Sequence, residues 1–158
     1  MIKRKTFLPL LLTAALFVTA TLSCNKDDDD KPVSNKYNVT GSASGAQEVP
    51  AVTSNGTATI SSVYDADANS LGYTITWSGL TDVVNNMHFH GPADATVSAP
   101  VAIPITGWAA AKSGTISGTA TLTETQEAEL LSGKWYYNIH TPFKGSGEIR
   151  GNLTATRQ

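Results

Sequence analysis

Apolar and polar residues alternate with a period of two along most of the chain after residue 37. Residues 56–64 read GTATISSVY, with Ala58, Ile60 and Ser62 on one side and Thr57, Thr59 and Ser61 on the other. Residues 71–77, LGYTITW, put Tyr73, Ile75 and Trp77 together, opposite Thr74 and Thr76. Successive side chains of a strand point to opposite faces, so each run predicts a strand with one buried face. The segment between them, DADANS (65–70), is rich in residues that hydrogen-bond their own backbone, and it predicts a turn. The two runs therefore predict a hairpin. VAIPI (101–105) alternates too, but Pro100 and Pro104 cannot donate to a ladder, which predicts an edge or irregular strand. GTISGTATL (114–122) places Ile116, Gly118, Ala120 and Leu122 on one face.

Only TETQEAELLSG (123–133) has helical character: Thr123 followed by Gln126 forms a capping box, and Gly133 is a stop. The last two runs, KWYYNIHT (134–141) and GEIRGNLTA (147–155), flank the five-residue loop PFKGS. Trp135, Tyr137 and Ile139 share a face, as do Ile149, Gly151 and Leu153. If Thr141 lies opposite Gly147, then His140 faces Glu148, Asn138 faces Arg150 and Tyr136 faces Asn152, all on the polar face. A slip by one residue would break these pairs and misplace the core. Seven or eight short strands separated by turns predict an all-β domain over residues 37–158, a sandwich or barrel with one short helix.

A chain of 158 residues suits one domain. Its pI is about 5.8, and no basic cluster follows the first five residues, which argues against nucleic acid as a partner. Lys3, Arg4 and Lys5 precede the apolar run FLPLLLTAALFVTA (7–20). That run is short of the roughly 20 residues a membrane span needs, and reads as a secretory signal. It leads to TLSC, ending at Cys24, the only cysteine. This resembles a bacterial lipobox, with Thr21 where Leu is usual. The resemblance implies that residues 1–23 are a lipoprotein signal peptide and that Cys24 is lipidated and anchors the chain to a membrane. Ordinary secretion with a free Cys24 is the alternative. Residues 25–36, NKDDDDKPVSNK, are too charged to pack and predict a solvated tether. Without the signal peptide, eight basic and thirteen acidic residues remain, a net charge of −5. Lys26 followed by aspartates resembles the export signal of surface-exposed lipoproteins. The expected location is the bacterial cell envelope, anchored to the outer membrane, with inward and outward orientations both open.

Three longer stretches carry a family resemblance: GAQEVPAV (45–52), SGLTDVVNNMHFHGPA (78–93) and YYNIHTPFKGSGEIRGNL (136–153). In this order they resemble the CHRD domain, named from chordin, an extracellular inhibitor of bone morphogenetic proteins. The resemblance implies an immunoglobulin-like β-sandwich or barrel, distantly similar to copper/zinc superoxide dismutases. For function it implies an extracytoplasmic binding or interaction module, whose ligand no residue names.

The chemistry centres on the three histidines. His88 and His90, two apart on a strand, share a face, while Met87 and Phe89 share the other. Two imidazoles at that spacing, joined by His140, would suit copper or zinc, and superoxide dismutases also use a His-x-His pair. In that arrangement Glu148 would orient the His140 ring and a fourth position would take water. The alternative is a structural hydrogen-bond network closing one end of the fold, in which Asn138, Glu148 and Arg150 take part. Arg150 is expected to pair with a carboxylate or with Asn138. Glu48, in AQEVP, is expected on an early edge strand as a solvated carboxylate or one paired with Arg150. Trp77 and Trp135 read as core, and Trp108 as exposed. No nucleophile–base pair is visible, so no catalytic residue is assigned. An enzyme of superoxide-dismutase type would need further histidines and a disulfide, which this chain lacks.

Overall fold

The computed structural model describes residues 33–158; the expected signal peptide, Cys24 and the aspartate run lie outside them. Among the described residues, alternation resolves into nine strands and one helix. They are β1 (Lys36–Ser44), β2 (Thr57–Asp65), β3 (Ser70–Ser78), β4 (Asn86–His90), β5 (Val101–Pro104), β6 (Gly114–Thr121), α1 (Glu124–Leu131), β7 (Tyr136–Thr141), β8 (Lys144–Asn152) and β9 (Thr154–Arg157). The strands form one antiparallel sheet in the order β5-β4-β7-β8-β1-β2-β3-β6, with β9 also beside β1. That sheet nearly closes into a barrel, which is the all-β architecture with one short helix that the sequence predicts. β1 joins the two halves of the sheet. Its first residues, 37–40, pair with β9, and at its end Ser44 meets Arg150 of β8.

The β2–β3 hairpin pairs without interruption from Thr57↔Ser78 to Asp65↔Ser70. Ala58, Ile60, Tyr64, Leu71, Ile75 and Trp77 are buried on its inner face. The outer face carries a ladder of hydroxyls, with Thr76 Oγ1 3.0 Å from Thr115 Oγ1 and Thr74 Oγ1 2.8 Å from Ser117 Oγ. Helix α1 has the expected capping box, Thr123 with Gln126, and Gly133 ends it at φ +72°. Leu130 is its one fully buried side chain. Trp77 and Trp135 are core residues as expected, but Trp108 packs partly buried against the core rather than standing exposed. β5 lies at one end of the sheet and pairs only with β4, consistent with its prolines.

The β7–β8 pairing agrees with expectation for half its length. Tyr136↔Asn152, Tyr137↔Gly151, Asn138↔Arg150 and Ile139↔Ile149 are partners. Beyond Ile139 the register shifts, and Thr141 pairs with Lys144. The connection is thus the two-residue turn Pro142–Phe143, not a five-residue loop, and residues 145–148 of β8 bulge out of the ladder. Gly147, at φ +122°, supplies backbone freedom that other residues lack there. His140 therefore does not face Glu148. The Glu148 carboxylate, fully buried, instead accepts hydrogen bonds from Thr141 Oγ1, Ser54 Oγ (both 2.6 Å) and the Thr81 amide (2.7 Å).

Two glycines of β8 separate packing from tolerance. A Cβ on Gly151 would lie 2.6 Å from Tyr137 Cε1 and 3.0 Å from the Ser42 carbonyl group, whereas one on Gly145 would meet nothing within 4 Å. Gly151→Ala should cost about 1–3 kcal/mol in urea unfolding, and Gly145→Ala should stay within about 0.5 kcal/mol of wild type. Equal effects at the two positions would contradict this packing.

Candidate metal centre

The pairing of β4 with β7 sets His88 opposite Asn138 and His90 opposite Tyr136. Alternate residues share a face, so His88, His90, Tyr136, Asn138 and His140 project together. Met87, Phe89, Tyr137 and Ile139 project the other way and are fully buried. Phe89 packs edge-on to Tyr73 at 5.2 Å between ring centroids and stacks near Trp135 at 6.2 Å. The apolar side of the same two strands thus holds the polar side in place.

His88, His90 and His140 can each turn one ring nitrogen toward a common point, with all three nitrogens within 4.8 Å of one another. The shortest approach is His88 Nδ1 to His140 Nε2, 3.1 Å. Nitrogens sharing a tetrahedral ion at 2.0–2.1 Å sit about 3.3–3.4 Å apart, so the widest pair would have to draw in by roughly 1.5 Å. His90 is 8% exposed, and the other two rings are half-buried, so the cluster is reached from solvent past His88 and His140.

The remote nitrogens fix the tautomers. His90 Nδ1 donates to the Ala99 carbonyl and His140 Nδ1 to the Gly145 carbonyl, each at 2.9 Å. A carbonyl only accepts, so in both neutral rings Nε2 carries a lone pair. Both lone pairs point at Asn138 Oδ1, at 3.0 and 2.9 Å. Three acceptors therefore converge with no proton among them. A cation between them, a proton on His88 Nδ1 facing His140 Nε2 at 3.1 Å, or an amide turned to bring its NH2 toward the rings would each relieve this convergence. Burial, followed by the neighbouring His140 and His90, pushes His88 down to about 4. Burial likewise lowers His140, against its bond to Gly145. Both rings therefore favour their neutral form, which keeps one unprotonated nitrogen on each.

The other expected residues surround this cluster with different partners. Arg150 is 1% exposed, and among the described residues its side chain forms no salt bridge and no hydrogen bond with its strand partner Asn138. It donates to the carbonyls of Val97 (2.9 Å) and Asp94 (3.3 Å) and to Asn152 Oδ1 (3.2 Å). Its guanidinium also lies 3.5 Å from the centroid of Tyr136, whose ring stacks on His90 at 4.8 Å and 1°. The column His90–Tyr136–Arg150 thus holds both the 94–99 loop and the His90 ring. The sequence register places Tyr136 on this face but gives no sign of its stacking between His90 and Arg150. The Ala99 and Gly145 carbonyls had no sequence signal, since every residue carries one. Glu148 is the partner of Thr141, not of His140. Burial raises its carboxyl, but the bonds from Ser54, Thr141 and Thr81 outweigh that and hold it below the usual range.

Glu48 follows a single 3₁₀ turn (Gly45–Gln47), not an edge strand. It is 9% exposed, forms no ion pair with Arg150, and among the described residues its Oε1 has no hydrogen-bond partner. It lines a cleft of about 420 Å³ with Gln47, Val49, Pro50, Thr96 and Asn152. Burial pushes its carboxyl up to about 7, against the charge of Arg150 and the Asn138 amide. The folded state therefore holds this proton more tightly than the unfolded chain, and the associated stability is lost as pH rises from the unfolded value toward 7. Glu48→Gln should gain stability relative to wild type across pH 4.5–7 and keep that gain at pH 8. Thermal unfolding of both proteins along a pH series measures it, and a difference independent of pH would contradict a buried, titrating Glu48.

The chain matches the family model of the CHRD domain over residues 39–153. No curated protein and no solved structure matches it. The matched span runs from within β1 through Leu153 and contains all three histidines, so the chain belongs to the CHRD domain family.

Proposed function

We propose that this protein is a lipid-anchored cell-envelope CHRD domain that binds one copper or zinc ion through His88, His90 and His140. Family membership suggests an extracellular binding or interaction module, and the ion is the ligand that the side chains favour. The observation that carries this reading is the convergence of the His90 and His140 Nε2 lone pairs, with His88 Nδ1 3.1 Å from the latter. Neutral imidazoles suit copper and zinc, and three of them leave a fourth position for water or an exchangeable ligand. Fixed tautomers on two of the rings, set by main-chain carbonyls, favour affinity. The chemistry that follows is ion binding, buffering or delivery.

The test is metal analysis of the full chain after equilibration with copper or zinc and removal of the excess. Wild type should retain about one ion per chain and His88→Ala markedly less, since each removed ligand weakens a three-ligand site. Binding should also weaken as pH falls and the rings protonate. Equal and negligible metal in both proteins would leave a structural network, with the Asn138 amide donating to both rings.

Anchoring through Cys24 rests on the TLSC motif after the apolar run. In a bacterial host, Cys24→Ser should abolish incorporation of labelled fatty acid and move the chain from the membrane to the soluble fraction. Unchanged labelling would remove the lipoprotein assignment. The outer membrane is the proposed destination.

A further inference from the structure

We propose that the free edge of β6 is a self-association surface, where a second copy of this chain pairs its own β6 antiparallel about a two-fold axis at Gly118. The two ends of the sheet differ. β5 has four residues, contains Pro104 and follows Pro100, all features that blunt an edge. β6 has eight residues with no proline and no charge. It pairs only with β3, and among the described residues no other main-chain hydrogen bond involves residues 114–121. An uninterrupted edge of this kind presents a row of donors and acceptors ready for another strand.

Face and charge select the partner and the register. A two-fold axis normal to the sheet keeps both buried faces on the same side, so the residue on the axis pairs with itself. With Gly118 there, Ser117 meets Thr119 of the second copy, Ile116 meets Ala120 and Thr115 meets Thr121. Hydroxyl faces hydroxyl on the exposed side, and Ile116 and Ala120, only partly buried in one copy, cover each other. Gly118 has no side chain to obstruct the axis. Beyond the strand ends, Lys112 precedes β6 and Glu124 opens α1 after it, so an antiparallel copy brings each lysine near the partner's glutamate, twice per dimer. Both residues are exposed, and neither is in an ion pair among the described residues.

Sedimentation of the full chain in density-matched detergent tests the proposal. Wild type should show a reversible monomer–dimer equilibrium. Lys112→Glu and Glu124→Lys should each weaken the dimer on the order of ten-fold, because each replaces two attractions by two repulsions. The double reversal should return to within about three-fold of wild type. Thr119→Lys, which brings two lysines beside the axis, should leave a monomer with unchanged circular dichroism and thermal unfolding. Cys24→Ser should dimerise like wild type. A wild-type monomer at all accessible concentrations would overturn the proposal. So would a double reversal no better than the singles, or an association that disappears with Cys24 and is therefore driven by the acyl chains.

Discussion

The register between β4 and β7 is the constraint on which the candidate site depends. One residue of slip would turn His88 and His90 into the core and carry Met87 and Phe89, both fully buried, out to solvent. Fully burying such a side chain is worth about 1.5–3 kcal/mol, a large part of which would be lost for each. The imidazoles are thus aimed by residues that never touch them. Apolar burial on one side of two strands is the force that positions polar chemistry on the other.

The same face shows how a small barrel accommodates charge. Arg150 and Glu148, two residues apart on β8, have separate fates because Glu148 lies in the bulge beside Gly147 and Arg150 in the regular ladder after it. Arg150 is held by main-chain carbonyls and an aromatic ring, Glu148 by two hydroxyls and an amide. Each is buried without a salt bridge, its polar valences met by uncharged partners. Glu48 is the exception: its Oε1 is unsatisfied, and burial favours its protonated form. Its neighbour Asn138 links it to the histidine cluster, so a buried acid and a basic group of rings meet across one amide.

An open barrel has two edges, and this chain treats them differently. Short length and proline close off β5, while β6 keeps eight unblunted residues flanked by opposite charges. The histidines belong to β4 and β7, at the blunted end of the sheet, so pairing through β6 leaves the candidate ion site open. The proposed ion site and the proposed dimer edge thus lie on different strands of one sheet.

Much of this was legible in the residues because period two is a local property. The buried faces of GTATISSVY and LGYTITW, the cap at Thr123 with Gln126 and the edge position of VAIPI each follow from a few neighbouring side chains. The shared face of His88 and His90, and the Asn138↔Arg150 pairing, follow from the same rule. Local pattern could not decide where the β7–β8 ladder breaks. A two-residue turn and a glycine bulge compete there with a longer loop, and distant groups, the Ser54 hydroxyl and the Thr81 amide, capture Glu148 and help select the outcome. Nor could it name the Ala99 and Gly145 carbonyls that set the histidine tautomers, since main-chain acceptors carry no sequence signal. Sequence determined which side chains share a face. Tertiary structure decided which groups from remote segments meet them, because that depends on bulges, loops and burial summed over the whole sheet.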